Sequence, residues 1–369
     1  MLIRKMAFVT ILGTALLSCS CSMGPRVLSG NRTDYNVSIN ASNNEEMLLN
    51  LVRLRHFDAP FFLNVSSVSS SFNYAMSAGF DLKMNAGPIQ GYRGQYPYNT
   101  ADPSIGAQYS ENPTIIYVPL SGEKFATQLL TEISVDRLLF LSRAGWDIEL
   151  LFQVLVKRFG PCVNKSIAMD TRLNLAPERT EGFDRLVALL RRLQDRGDLE
   201  LQAKAEGDPA SLVAMQLRFN GAEEVREMES ALSLRLPVKQ AQNGGLVAKL
   251  LLTQSNDLLQ ENACDAGSCR VFVRLRNFIG ILDSLAQGVE APGGASGTTG
   301  TTPVAFRVAR ADAPVAGAFV SAKYDGHWYY IAKDDVASRQ VFSFLIQLFA
   351  LEGGELPKNA PMLTLPVSR

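Results

Sequence analysis

The sequence predicts an α+β fold, with mixed helices and antiparallel hairpins in one large domain or two packed ones. Three observations predict it. Segments of helical periodicity and segments of period-two alternation follow one another without a regular strand–helix repeat. The run Phe319 to Ala332 carries Asp325-Gly326 at its centre, the signature of a two-residue hairpin turn. Hydrophobic residues make up 47% of the chain and charged residues 20%, enough apolar material for a core and too little charge for a disordered chain.

The elements follow in chain order. Ser42 and Glu45 fit a capping box that starts a helix. Met47, Leu48, Leu51, Val52 and Leu54 give it an apolar face, and Pro60 stops it near Asp58. Phe61 to Met84 reads as strands, with partial alternation at Phe72, Tyr74 and Met76. Residues 85–105 form a long aromatic loop rich in Gly, Pro, Tyr and Asn. Ile115–Val118 is a short strand, and Ser121 caps a helix that runs to about Leu130. Helices follow over about 134–143 and 146–158, divided by Gly145, and a strand over 164–170. Phe183–Asp195 is an amphipathic helix, with Leu186, Leu189, Leu190 and Leu193 on one side.

Leu199–Ala205 and Leu212–Phe219 read as paired strands, 222–234 as helix and 246–253 as strand. Arg270–Gly288 starts as a strand and continues as a helix. The Gly, Thr and Ser run at 291–303 is a flexible loop. After the hairpin, Asp334 or Asp335 caps a helix that Gly353-Gly354 ends near Leu351, and Leu363–Val367 closes as a strand. The domain reading is 31–160 for an N-terminal α+β region and 161–369 for a C-terminal one.

The N-terminus carries the clearest functional signal. Arg4 and Lys5 precede an apolar run from Met6 to Leu17, too short for a membrane span and correctly flanked for an export signal over residues 1–18. Leu16-Leu17-Ser18-Cys19 resembles a bacterial lipobox, so Cys19 is the expected lipid-attachment residue. Cys21 is the weaker candidate, because Ser18 rather than Leu stands three residues before it. Two or three acyl chains anchor firmly, at roughly 0.8 kcal/mol per buried methylene. Ser20 follows the lipid-bearing position, and the absence of Asp there favours the outer membrane. Residues 19–30 are a short tether. The whole chain balances 36 basic against 36 acidic residues, which gives no electrostatic footprint for nucleic acid. An oxidising periplasm permits a disulfide between Cys264 and Cys269 across the turn-forming Asp-Ala-Gly-Ser. Cys162 has no obvious partner.

Four blocks suggest a family. They are Leu48-Leu49-Asn50-Leu51-Val52-Arg53-Leu54-Arg55 with Ala59-Pro60-Phe61-Phe62-Leu63; Val118-Pro119-Leu120-Ser121-Gly122-Glu123; Gly326-His327-Trp328-Tyr329-Tyr330-Ile331; and Leu363-Thr364-Leu365-Pro366-Val367-Ser368-Arg369. Together they resemble a family of uncharacterised bacterial, mostly proteobacterial, lipoproteins. The resemblance implies an envelope location and transfers no activity or site.

Several constellations could carry chemistry. The chain has two histidines, His56 and His327, so any histidine-based triad or metal site must use one of them. His56 sits at a helix end, where a local hydrogen bond is the ordinary role. His327, Tyr329 and Ile331 share one strand face, with Trp328 and Tyr330 on the other. Ser121 and Lys124 match S-x-x-K, a nucleophile–base spacing of penicillin-binding proteins, without the S-D-N and K-T-G partners. Asp334-Asp335 reads as a helix cap before a metal pair, and Arg53, Arg55, Arg274 and Arg276 as borders of packed faces before anion clamps. Tyr92, Arg93, Tyr96 and Tyr98 form the leading binding-loop candidate, for a sugar or a partner protein. No metal and no cofactor is expected. The expected function is a non-enzymatic binding or assembly module. It would be tethered to the outer membrane, face the periplasm and engage an envelope protein or peptidoglycan. A cell-wall serine enzyme and a glycan-binding module are the alternatives.

Overall fold

The computed structural model describes residues 23–83, 100–165, 177–203, 212–241, 244–255, 262–290, 304–352 and 363–366. The chain divides into two compact units, one of residues 1–62 and 121–355, the other of residues 63–120 and 356–369. The expected α+β class holds: helices pack on antiparallel and mixed sheets, with no closed barrel among the described residues.

The first unit opens with α1 (Met23–Arg55). The helix begins at Met23, not at Ser42, so most of the expected 19–30 tether is helical. Nothing between Asn31 and Ser42 breaks a helix, since the stretch holds neither Gly nor Pro, and the capping-box residues lie inside it. The apolar face reads as expected: Met47, Leu48, Leu51 and Val52 are buried. Asn50 is buried among them and binds both backbone groups of Phe61, its Nδ2 donating to the carbonyl at 2.8 Å and its Oδ1 accepting from the N–H at 2.9 Å. A side-chain amide thereby does what a neighbouring strand would do, and it pins the chain after Pro60. Phe62 then stacks on Phe349 at 4.9 Å.

Three short helices follow: α2 (Glu123–Leu130), α3 (Val135–Arg143) and α4 (Ile148–Leu155). Ser121 does not cap α2. Gly122 holds that place at φ 97°, a left-handed value that suits glycine, and makes no side-chain cap bond. The helix expected over 146–158 ends at Leu155, and its tail becomes β3 (Val156–Phe159), which turns through Gly160 into β4 (Cys162–Val163). Of the expected 164–170 strand, residues 164 and 165 are not strand, and 166–170 lie outside the described residues. Residue 160, the expected domain boundary, is the turn of this hairpin.

The remaining elements are α5 (Pro177–Asp195), β5 (Leu199–Ala203), β6 (Leu212–Phe219), α6 (Ala222–Leu232), β7 (Lys239–Gln240), β8 (Leu246–Gln254), β9 (Ala263–Cys264), β10 (Cys269–Leu275) and α7 (Phe278–Ala286). The main sheet runs β4-β3-β10-β8-β6-β5, with β7 on β8 and β9 on β10. The β10–β8 pair is parallel, whereas β6 pairs antiparallel with both of its neighbours. Cys269, Val271, Val273 and Leu275 are buried at alternate positions of β10, as a sheet with one face on a helical layer requires. Phe183, Leu186, Leu190 and Leu193 of α5 are also buried. Cys264 and Cys269 are cross-strand neighbours and form the expected disulfide. Cys162 is free and buried, its Sγ 3.0 Å from the Ala231 carbonyl, and burial pushes its thiol up to about 11.

A second sheet of β11 (Ala309–Ala311), β13 (His327–Ile331) and β12 (Val320–Tyr324) lies against α1. Asp325 and Gly326 have φ 45° and 80°, as a type I′ turn demands. The last helix of the unit, α8 (Val336–Glu352), is capped by Asp335, which accepts from the Ser338 N–H at 3.0 Å.

The second unit is a three-stranded sheet, β1 (Phe62–Lys83), β2 (Thr100–Leu120) and β14 (Leu363–Pro366), in the order β1-β2-β14. β2 starts at Thr100, so the expected 115–118 strand is the end of a much longer one and residues 100–105 leave the 85–105 loop. β14 closes antiparallel on β2, Leu363 opposite Tyr117.

Candidate functional site

Both histidines converge on one place, where the end of α1 meets the three-stranded sheet of the first unit. Phe57 holds the helix terminus in the left-handed conformation, φ 64°. The Asp58 N–H then reaches back to the Arg53 carbonyl at 2.9 Å and the Phe57 N–H to Leu54 at 3.1 Å. This is the arrangement in which glycine usually occupies the left-handed place. Here it carries a phenylalanine whose side chain is 97% exposed. Phe57→Gly should therefore raise stability by about 1 kcal/mol, read as a higher urea midpoint at unchanged slope.

His56 does not take a local partner. Its Nε2 lies 3.0 Å from the Tyr329 hydroxyl, and its ring sits 4.8 Å from that of Tyr324. Tyr324 in turn donates its hydroxyl to Asp58. Burial lowers the His56 imidazole below its ordinary value, opposed by Asp325 and Asp58. Burial likewise raises the Tyr329 phenol. Both shifts favour the neutral pair, in which Tyr329 donates to an unprotonated Nε2. The hydrogen bond to Asp58 holds the Tyr324 phenol up at about 12.

The second histidine is tied on the same sheet. Arg310 Nη2 lies 2.8 Å from His327 Nε2, and His327 Nδ1 lies 3.1 Å from Asp312. The same Arg310 Nη2 also lies 3.1 Å from His327 Nδ1, so the ring is held between a guanidinium that can only donate and the Asp312 carboxylate. The expected alternation holds, with Tyr329 and Ile331 buried. Arg55 donates to Gln287 at 3.0 Å and Arg53 to Asn50 at 3.1 Å, which fastens the same corner. Among the described residues neither histidine bonds a serine, threonine or cysteine, and no group of three metal-ligating side chains is present. The corner is a rigid hydrogen-bonded platform from which Phe57 projects.

The sign of the His56 shift gives a pH dependence. Its folded value is depressed, so the unfolded chain takes up the proton first on acidification. Its contribution is complete above about pH 6.5 and is lost as the pH falls from there through the lower folded value. The wild-type urea midpoint should fall between about pH 7.5 and about pH 5.5, and His56→Gln should fall less over that interval.

The other sequence candidates lie elsewhere. Ser121 and Lys124 are exposed, and Ser121 precedes the N-cap of α2, so one helical turn does not set their separation. The four arginines do not form one clamp. Arg274 meets Glu132 at 3.2 Å, and Arg276 is buried against the carbonyls of Gln153 and Val154. Cys19, Tyr92, Arg93, Tyr96, Tyr98 and the 291–303 loop lie outside the described residues. The sequence reading missed Asp58, Tyr324, Arg310 and Asn50, which look ordinary in one dimension. The only signal was that the LLNLVRLR block runs directly into His56 and the GHWYYI block holds His327.

The chain matches no family model, no curated protein and no solved structure. Among the described residues, no helix is long and apolar enough to cross a membrane.

Proposed function

We propose that this chain is a lipid-anchored envelope protein, a binding or assembly module for a protein partner at the periplasmic face of the outer membrane. The Leu16-Leu17-Ser18-Cys19 sequence behind a charged start and a short apolar run carries the reading. Acyl chains on Cys19 hold the folded body at a membrane surface without a spanning helix. The platform around His56 supports the binding role. Phe57 spends conformational energy in a left-handed turn and returns no burial within its own unit, and an exposed aromatic on a rigid mount is the anchor that partner surfaces use.

Ser20 provides the test. Density-gradient separation should place the wild-type protein in the outer-membrane fraction, and Ser20→Asp should move it to the inner-membrane fraction. Wild-type protein in the inner membrane or free in the periplasm would refute the location.

A further inference from the structure

A second surface of the first unit, built from residues outside the histidine corner, has the chemistry of a ligand site. Between α3, α4, α5 and α8 lies an open cleft of about 590 Å³, lined by Trp146, Asp147, Arg191, Asp195, Gln340 and Gln347 among others. Its parts are held in place. The Trp146 ring meets Phe344 edge to face at 5.0 Å, and its indole N–H donates to Gln347 Oε1 at 3.2 Å. Gln194 clasps the turn beneath, accepting from the Ile148 N–H at 2.8 Å and donating to the Trp146 carbonyl at 3.2 Å. Arg191 bonds Asp147 and, at 3.1 Å, Asp195.

Donors and acceptors remain open around the indole. Gln340 and Gln347 stand two turns apart on the exposed side of α8. The Gln340 amide makes no hydrogen bond to any described residue, and the Gln347 bond to Trp146 uses only its oxygen. The Asp195 side chain is 57% exposed. Two carboxylates face one guanidinium, so the lining carries a net negative charge that disfavours an anion. A single half-buried indole offers too little apolar area for a greasy ligand, whereas planar amides and carboxylates beside an aromatic ring match vicinal hydroxyls and a C–H face.

We propose that this cleft binds a neutral saccharide, with Trp146 under the sugar ring and Gln340, Gln347 and Asp195 on its hydroxyls. The proposed site is independent of the tethering reading.

The chain has two tryptophans, so Trp328→Phe in the detergent-solubilised full-length protein leaves Trp146 as sole reporter. Titration with chitotriose and with maltotriose should give a saturable change in its emission for at least one of them. Gln340→Ala, an exposed change that removes no hydrogen bond to a described residue, should weaken that response at least tenfold. A glucose phosphate of the same concentration range should give no saturation. No saturable response to either trisaccharide, a response that Gln340→Ala leaves unchanged, or tighter binding of the phosphorylated sugar would each overturn the proposal.

Discussion

Arg276→Met should cost about 3 kcal/mol of stability. Arg276 is 2% exposed. Its Nη1 donates to the carbonyls of Gln153 at 2.9 Å and Val154 at 2.5 Å, in the last turn of α4, where carbonyls lack helical partners and the dipole is negative. Burial alone depresses its guanidinium, down to about 10, so the side chain remains charged at neutral pH and its cost is already met by these bonds. Methionine keeps the volume and deletes the donors. Gln153 retains the Asn164 amide at 2.8 Å, but Val154 loses its charged donor. The strand end loosens with it, because the Arg276 backbone bonds Leu155 and Ile133. Urea unfolding checks the figure, and Arg276→Lys should recover part of the loss. A methionine variant as stable as wild type would contradict the account.

Cys19→Ala should abolish fatty-acid incorporation, and Cys21→Ala should leave it intact. The expected effect is all-or-none, since the proposed anchor puts the diacyl group on one thiol. A single acyl chain binds membranes only marginally, and two or three make release negligible. Metabolic labelling with a clickable palmitate analogue reads both variants in one gel. Label retained in Cys19→Ala would move the attachment site, and an unlabelled wild-type protein would remove the anchor.

The parts of the fold that the sequence disclosed are those decided locally. Asp325-Gly326 allows few turns other than the one found, and the spacing of Leu186, Leu190 and Leu193 leaves one helical face to bury. The disulfide was legible because its cysteines stand only five positions apart. Where the reading failed, a local signal lost to a longer-range one. The Ser42 capping box can start a helix, but nothing upstream ended one. Val156–Phe159 continues the apolar pattern of α4 and becomes a strand, because β10 offers it a hydrogen-bonding edge. β2 extends back to Thr100 through a stretch with strand-breaking Pro103.

The histidine corner was hidden for the same reason. His56 and Tyr329 lie 273 residues apart, and Tyr324 and Asp58 lie 266 apart. No spacing rule reaches that far. Trp146 was passed over because its distant neighbours in the cleft come from α5 and α8.

The central claim is that tethering presents a binding surface to a partner protein. The direct measurement is in-cell photo-crosslinking with the reactive side chain installed at Phe57, and at exposed Glu223 of α6 as the control. Each is made with Cys19 intact and with Cys19→Ala, and the adducts are identified by mass spectrometry. The account predicts one discrete envelope-protein adduct from position 57, none from position 223, and loss of the adduct with Cys19→Ala. Equal adducts from both positions, or none from position 57 in protein recovered from the outer membrane, would contradict it.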